Sequence, residues 1–439
     1  MNKYPKILIF GPPFNSFTGG GITLSNLFKG WPKDRIAVTS TGHVLQLLST
    51  DICDTYYRLG KVEHRWKFPF NLVQRPYPSG LIPFNKQDYQ SQGPTKDTFR
   101  RFLVDKLFYP FIQWLGFFHS LSKITLSQQF KDWLAIFQPE ILYIQVTSRE
   151  DVLFSIQLCD FLKIPTVIHN MDDWPSTISR KGLFKRYWRT KIDKEFKQLL
   201  NRTDLFLSVS DAMTSEYLKR YNKVFQAFHN PIDISKYNQF KKRPSQLIET
   251  FRILYVGRLG LANEHSIYSF ASAISQLKID RFKIEMDIFT YNTNTRISKK
   301  IGNLKNVKIS PSVNHDIIPS LLAEYDLLLL PLDFTVAGFK YAQYSLPTKA
   351  SEYMISGTPI LVFAPKETAI SKFCSDNECG YCVVERSKKE IKEAIQFLIN
   401  NEDYRIKISQ NAVRLAKELF DADKVRNRFQ QLLMNLPKH

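Results

Sequence analysis

SLPTKASEYMISGTP, residues 345–359, decides the reading of this chain. Pro347 early in the run, helix formers through Met354 and Gly357 near its end predict a short helix with a marked start and stop. PILVF follows as an apolar strand. Loop, helix and strand in that order, late in a chain of βα alternation, place the helix N-terminus at the carboxyl edge of a parallel sheet, where open α/β folds bind ligands. Pro347, at about the first helical position, leaves backbone N–H groups free beside the positive end of the helix dipole, which suits a phosphate. Glu352 lies a turn and a half further in, and its carboxylate can accept two hydrogen bonds from a vicinal diol such as a ribose. A nucleotide is therefore the first ligand to consider.

Working outward, the same strand grammar recurs on both sides. RILYVG, KIEMDIF, VKIS, LLLLPL and PILVF make one series in the second half of the chain. KILIF (6–10), RIAVTS (35–40), ILYIQV (141–146), TVIHN (166–170) and LFLSVS (205–210) make another, with helical patterns between them. The later members run almost continuously apolar, as strands buried on both faces of a parallel sheet do. Between the series, AFHNPIDISKY (227–237) closes the first domain and the polar NQFKKRPSQLIET (238–250) serves as a hinge. The expected fold is α/β, with two Rossmann-like doubly wound parallel-sheet domains, residues 1–240 and 251–420, facing a cleft. A helical pattern from Asp421 through Leu433, within a closing segment 421–439, is expected to pack back on the first domain. Residues 60–100 lose periodicity and read as an irregular insertion. From Phe99 to Phe130, headed by Arg100 and Arg101, aromatic-rich helical material resumes, as core or as the wall of an acceptor or membrane-facing groove.

Size and composition agree with two domains, since 439 residues exceed what one ordinary core organises. The opening apolar run is four residues long and ends at Gly11 and Pro12, which reads as a first strand and not a signal peptide. Leu107 to Phe118 contains Pro110 and falls short of the roughly 20 residues a spanning helix takes. Five cysteines without a secretory signal read as reduced thiols, and CGYC at 379–382 lacks the second pair that a metal site needs. The net charge of +20 fits phosphorylated small molecules, anionic lipid or nucleic acid. No zinc-finger spacing or RNP-type strand is present, so nucleic acid is not expected. Arg180 to Lys197 holds eight basic residues, with Phe184, Trp188, Ile192 and Phe196 recurring every fourth position. That stripe is either a membrane-surface face or a surface helix's own core face.

Glycines 19, 20 and 21 sit between the first strand and a helical pattern, either as a tight turn or as a loop a ligand can approach closely. His169 ends its strand and is followed by Asn170, Asp172 and Asp173, where a histidine is structural or donates to a sugar hydroxyl or phosphate oxygen. Two adjacent acids that face different ways make a poor cation site, so no protein-held metal is expected.

These residues together resemble the GT-B glycosyltransferases, and within them the large retaining group called family four. The resemblance runs over nearly the whole chain: the glycine segment after strand one, the strand ending at His169, LSVSDAM, HNPID, YVGRL and PTKASEYMISGTPI. It implies a nucleotide-sugar donor held mainly by the second domain, a glycan or lipid-linked acceptor held by the first, and no cofactor or metal. Carried over by position, Glu352 holds the ribose hydroxyls, Arg258 after Gly257 faces the diphosphate, and Gly19 and Gly20 let the first domain approach it. Pro347, Thr348 and Lys349 line the phosphate end, and His169 lies near the transferred sugar. Two positions depart from the commonest pattern. Tyr344 stands where many relatives have a second glutamate, while Lys349 matches relatives with a P-x-K-x-x-E-Y pattern; it either neutralises the leaving phosphate or is solvated. The usual lysine after GRL is absent, with Asn263, Glu264 and His265 nearby. The implied chemistry is stabilisation of a departing nucleoside diphosphate by Arg258, Lys349, backbone near Gly20 and the helix start, with no protein nucleophile. The alternatives are a nucleotide-sugar epimerase and a degenerate binding or scaffold protein. The implied setting is cytoplasmic, peripheral on the inner face of the cell membrane.

Overall fold

The computed structural model describes all residues except 1–3, 16, 17, 43, 47, 69, 73, 75, 76, 84–106, 179–181, 241–248, 280, 281, 438 and 439. The chain forms two compact units. Unit 1 comprises Met1–Ser208, Thr214–Ala227 and Phe429–His439; unit 2 comprises Val209–Met213 and Phe228–Arg428.

Unit 1 is built on β1 (Ile7–Phe10), β2 (Ile36–Thr41), β3 (Tyr56–Leu59), β5 (Gly80–Leu81), β7 (Ile141–Ile144), β8 (Thr166–Asn170), β9 (Leu205–Ser208) and β10 (Gln226–Ala227). Their order is β10-β9-β8-β7-β1-β2-β3-β5, with only β5 antiparallel. Ile7 pairs with Ile36 on one side and with Ile141 on the other, so the chain leaves β1 first toward β2 and later returns to β7. The switch point of a doubly wound sheet lies between two such strands. Within the stretch expected to be irregular, β4 (His64–Trp66) pairs antiparallel with β6 (Ser122–Ile124).

The structure corrects two expectations. Residues 99–106 lie outside the described residues, and 107–130 is not one helical run. It breaks into a helix Tyr109–Trp114, a short turn Phe118–Ser120 and β6, because Gly116 takes φ +75° and ends the helix. Glycines 19 and 20 are not a loop: the helix begins at Gly19, since Thr18 caps it by accepting from the Gly21 N–H at 3.1 Å. Of the two faces open to the stripe on the Lys185–Leu200 helix, it takes the core one, with Trp188, Ile192 and Phe196 buried and Phe184 exposed.

Unit 2 is built on β11 (Thr250–Val256), β12 (Lys283–Thr290), β13 (Val307–Pro311), β14 (Leu327–Pro331), β15 (Ile360–Phe363) and β16 (Tyr381–Val383). The order β13-β12-β11-β14-β15-β16 is wholly parallel, with the switch between β11 and β14. Alternation divides these strands between two cores: Leu254, Leu328 and Leu330 enter one, and Ile253, Tyr255, Leu327 and Leu329 the other. Burial on both faces is why LLLL carries no polar residue. All five cysteines are free thiols, and Cys379 is buried. The last helix, Ala422–Met434, delivers its C-terminal end to unit 1. There the Phe429 ring lies 5.1 Å from that of Phe28 and 6.2 Å from that of Tyr143.

Candidate functional site

The helix that SLPTKASEYMISGTP predicts spans Thr348–Ser356, with Pro347 as its N-cap and Gly357 at φ +74° as its left-handed stop. Pro347 offers no side-chain cap, and the Ala350 N–H already donates to its carbonyl at 2.8 Å, which leaves the N–H groups of Thr348 and Lys349 to an outside acceptor. The helix lies between β14 and β15, and the Gly257–Arg258 turn leaves β11, so both features belong to the switch point of unit 2. They are locked together: the Tyr353 hydroxyl accepts from the Val256 N–H at 2.9 Å. Gly257 takes φ +147°, which side chains rarely adopt, and a Cβ there would displace the Lys349 ammonium.

Lys349 is not a solvated helix residue. Its ammonium donates to the Tyr255 hydroxyl at 2.9 Å and lies 4.1 Å from the ring centroid. Desolvation pushes its pKa down to about 7, with the Glu352 carboxylate acting against that fall. The Tyr255 hydroxyl in turn donates to the Arg258 carbonyl at 2.8 Å, and Asn263 Nδ2 donates to both Tyr255 and Arg258, at 2.8 and 3.1 Å. Asn263 Oδ1 accepts from the Gly260 N–H, which closes the turn. Asn263 therefore shapes the segment in which the family's usual lysine is missing. The Arg258 side chain is exposed, beyond this network. Tyr344 is half-buried, and its carbonyl accepts from the Ser210 hydroxyl within unit 2. Asn230, of the HNPID segment, reaches the Thr348 carbonyl at 3.4 Å.

Glu352 is half-buried and ion-paired: His315 Nε2 lies 2.9 Å from its Oε1. The carboxylate holds the proton on His315 and raises its pKa. No sequence signal pointed to His315, a single histidine in a polar turn. Its partnership with Glu352 is purely tertiary.

In unit 1, His169 is the last residue but one of β8 and is wholly buried, with Nδ1 against the Tyr143 hydroxyl. Burial pushes its pKa down to about 3, so the imidazole is neutral. Gly20 lies near Met171, just beyond His169, so the helix start and the end of β8 adjoin. Gly21 needs its lack of a Cβ more than Gly20 does, since a Cβ there would meet the Asn15 side chain. Asn170 is buried, and its side-chain amide has no hydrogen-bond partner among the described residues. Asp173 is structural: it accepts from Arg220 Nη1 at 2.8 Å and from the Tyr217 hydroxyl at 3.1 Å. Among the described residues no three His, Cys, Asp or Glu side chains group as metal ligands do.

Residues 250–401, which hold the whole unit 2 sheet, match the family described as Glycosyl transferases group 1. No curated protein matches the sequence. Several solved structures share the fold over almost the full length. Anabaena Alr3699/HepE, in complex with UDP and glucose, is 14% identical, with a TM-score of 0.61 over 99% of this chain and 100% of that one. Sucrose-phosphate synthase from Thermosynechococcus elongatus is 13% identical, with a TM-score of 0.60 over 97% and 98%. WaaG, a glycosyltransferase involved in lipopolysaccharide biosynthesis, is 12% identical, with a TM-score of 0.56 over 98% and 100%. The fold is accordingly GT-B.

Proposed function

We propose, since residues 250–401 match the family described as Glycosyl transferases group 1, that this chain moves a sugar from a nucleotide-sugar donor to a glycan or lipid-linked glycan acceptor. The observation that carries the reading is one place in unit 2. There the Lys349 ammonium, the Arg258 turn and an uncapped helix start converge at the sheet's switch point, with Glu352 a turn further along. Breakage of the anomeric bond leaves growing negative charge on a diphosphate, and fixed donors placed there lower the barrier. Arg258 supplies a forked cation, Lys349 a second, and the helix N–H groups partial positive charge, so the diphosphate is stabilised without a protein-held metal. Glu352 orients the ribose. Lys349, titrating near 7 in the free protein, takes a full charge once phosphate lies beside it. Retention of configuration rests on the family-four motif PTKASEY, and no nucleophile is assigned.

The acceptor side belongs to unit 1, where the unpartnered Asn170 amide supports a polyhydroxyl ligand. Peripheral contact with an anionic bilayer is supported by a surface other than the predicted stripe. Leu107, Phe111, Trp114 and Phe117 are exposed, as are Leu183, Phe184 and Tyr187. The two groups adjoin, since the Leu183 N–H donates to the Trp114 carbonyl at 2.9 Å. Beside them a cavity of about 620 Å³ is lined by Arg186, Tyr187, Thr190, Lys191, Lys194 and Gln198, with Glu195 its one acid, paired to Arg149. Apolar side chains next to cations suit headgroups and acyl chains together. Among the described residues no helix is long and apolar enough to cross a membrane.

The test is incubation with UDP-, GDP- and ADP-sugars, with and without lipid-linked glycan acceptors and EDTA, followed by mass spectrometry. The Anabaena structures hold UDP and UDP-glucose, so UDP-sugars come first. Acceptor-dependent release of nucleoside diphosphate, insensitive to EDTA, is expected. An acceptor-independent change of the sugar would identify an epimerase instead, and no nucleotide binding at all a degenerate protein.

A further inference from the structure

We propose that His315 is a donor-site residue that occupies the Glu352 carboxylate in the free protein and yields it, with a proton, when a ribose-bearing nucleotide binds. The inference rests on the ribose role of Glu352 given above and adds a competitor for the same oxygens. Glu352 is the acid that this site offers a diol, and one of its oxygens already lies 2.9 Å from His315 Nε2. The imidazole fills one of that oxygen's two lone-pair directions and the space beside it, so a ribose that takes both oxygens competes with the histidine.

The geometry makes that movement easy. His315 lies in a short polar turn, His315–Ile317, whose start is capped by Asn314 accepting from the Asp316 N–H at 3.3 Å. Its side chain is 54% exposed, whereas that of Glu352 is 16% exposed, so the imidazole is the partner free to swing away. Three charged groups face it. Glu352 comes from the Thr348–Ser356 helix, Asp316 from its own turn, and Lys236 from the helix Ser235–Asn238, its Nζ 3.6 Å from Asp316 Oδ1. The packed helix Ile318–Ala323 adds no charged side chain. Glu352 and Asp316 hold the proton on His315, and Lys236 opposes them.

The sign of the linkage follows. His315 carries a proton to higher pH while it is paired than after Glu352 has turned to the ribose. Binding therefore releases that proton, and affinity rises with pH through the raised titration range, then levels off. Lys349 and the nucleotide phosphates titrate as well, so the comparison that isolates His315 is between the wild-type chain and H315N, in which both remain.

With UDP as the probe, isothermal titration calorimetry from pH 5.5 to 8.5 is the experiment. H315N should bind UDP about threefold to fivefold more tightly than wild type at pH 5.5, as an exposed ion pair allows, and equally at pH 8.5. Wild type should also release more protons than H315N at pH 6.5, read from the dependence of the heat on the buffer's ionisation enthalpy. In the free protein, the His315 imidazole resonance should titrate at lower pH in E352Q than in wild type. Parallel pH profiles for wild type and H315N overturn the inference alone. So does a loss of affinity in H315N at every pH, because His315 is then a direct nucleotide contact. Absence of UDP binding to either chain at any pH overturns the UDP-sugar reading and this inference with it.

Discussion

Lys349→Met removes a cation that folding pulls out of water, and its effects on stability and on ligand binding should run in opposite directions. Desolvation lowers the Lys349 pKa from 10.5 to about 7. Between those values the unfolded chain binds the proton and the folded chain does not, so stability rises with pH through that window. The penalty is fully present below pH 7 and fades toward pH 10.5. At about 1.4 kcal/mol per pH unit, that fall sets a ceiling of about 5 kcal/mol. Water still reaches the half-buried side chain, which leaves about 2 kcal/mol as the working figure. Methionine keeps most of the length and loses the hydrogen bond to Tyr255, worth about 1 kcal/mol. The Tyr255 hydroxyl is not orphaned, because it still meets the Arg258 carbonyl and the Asn263 amide. The net expectation is a stabilisation of about 1 kcal/mol at pH 7 that has vanished by pH 10, together with UDP binding weakened about tenfold by the missing cation. Urea unfolding at pH 7, 8.5 and 10 reads the first part, with the transitions of the two compact units fitted separately. Titration calorimetry reads the second. A variant less stable than wild type at pH 7, or a stability difference unchanged between pH 7 and 10, refutes the desolvation argument.

Three further substitutions probe the rest of the site. Glu352→Ala should weaken UDP binding about tenfold to a hundredfold while the circular dichroism spectrum stays unchanged, since its ion-pair partner is a half-exposed histidine rather than a core group; unchanged affinity removes its proposed ribose role. Gly257→Ala forces a side chain into φ +147° and onto the Lys349 ammonium, for about 1–3 kcal/mol of lost stability and lower UDP affinity, both read by urea midpoint and calorimetry. Asp173→Ala strips the carboxylate from Arg220 and the Tyr217 hydroxyl and should destabilise unit 1 by about 2–3 kcal/mol, less than a fully buried pair because Arg220 is partly exposed. A midpoint within experimental error of wild type would show that water replaces the carboxylate there.

How far a sequence speaks depends on the range of the interaction involved. The strand series, the Thr348–Ser356 helix and its stops at Pro347 and Gly357 follow from local rules: burial on both faces writes uninterrupted apolar runs, and a left-handed stop requires glycine. Those rules were enough to place Gly257, Arg258, Lys349 and Glu352 in one unit. Direction was out of reach. A stripe every fourth residue marks one helix face equally well whether core or lipid covers it, and only packing turned Trp188, Ile192 and Phe196 inward. Glycines 19 and 20 read as a loop until Thr18 was seen to cap a helix beginning at Gly19. The contacts that tune the site span 37 to 97 residues: Glu352 with His315, Lys349 with Tyr255, Val256 with Tyr353. No periodicity encodes such pairs. They exist because a parallel sheet brings the ends of distant strands to one edge, and whether Lys349 is a full cation at neutral pH is decided by the water that this edge excludes.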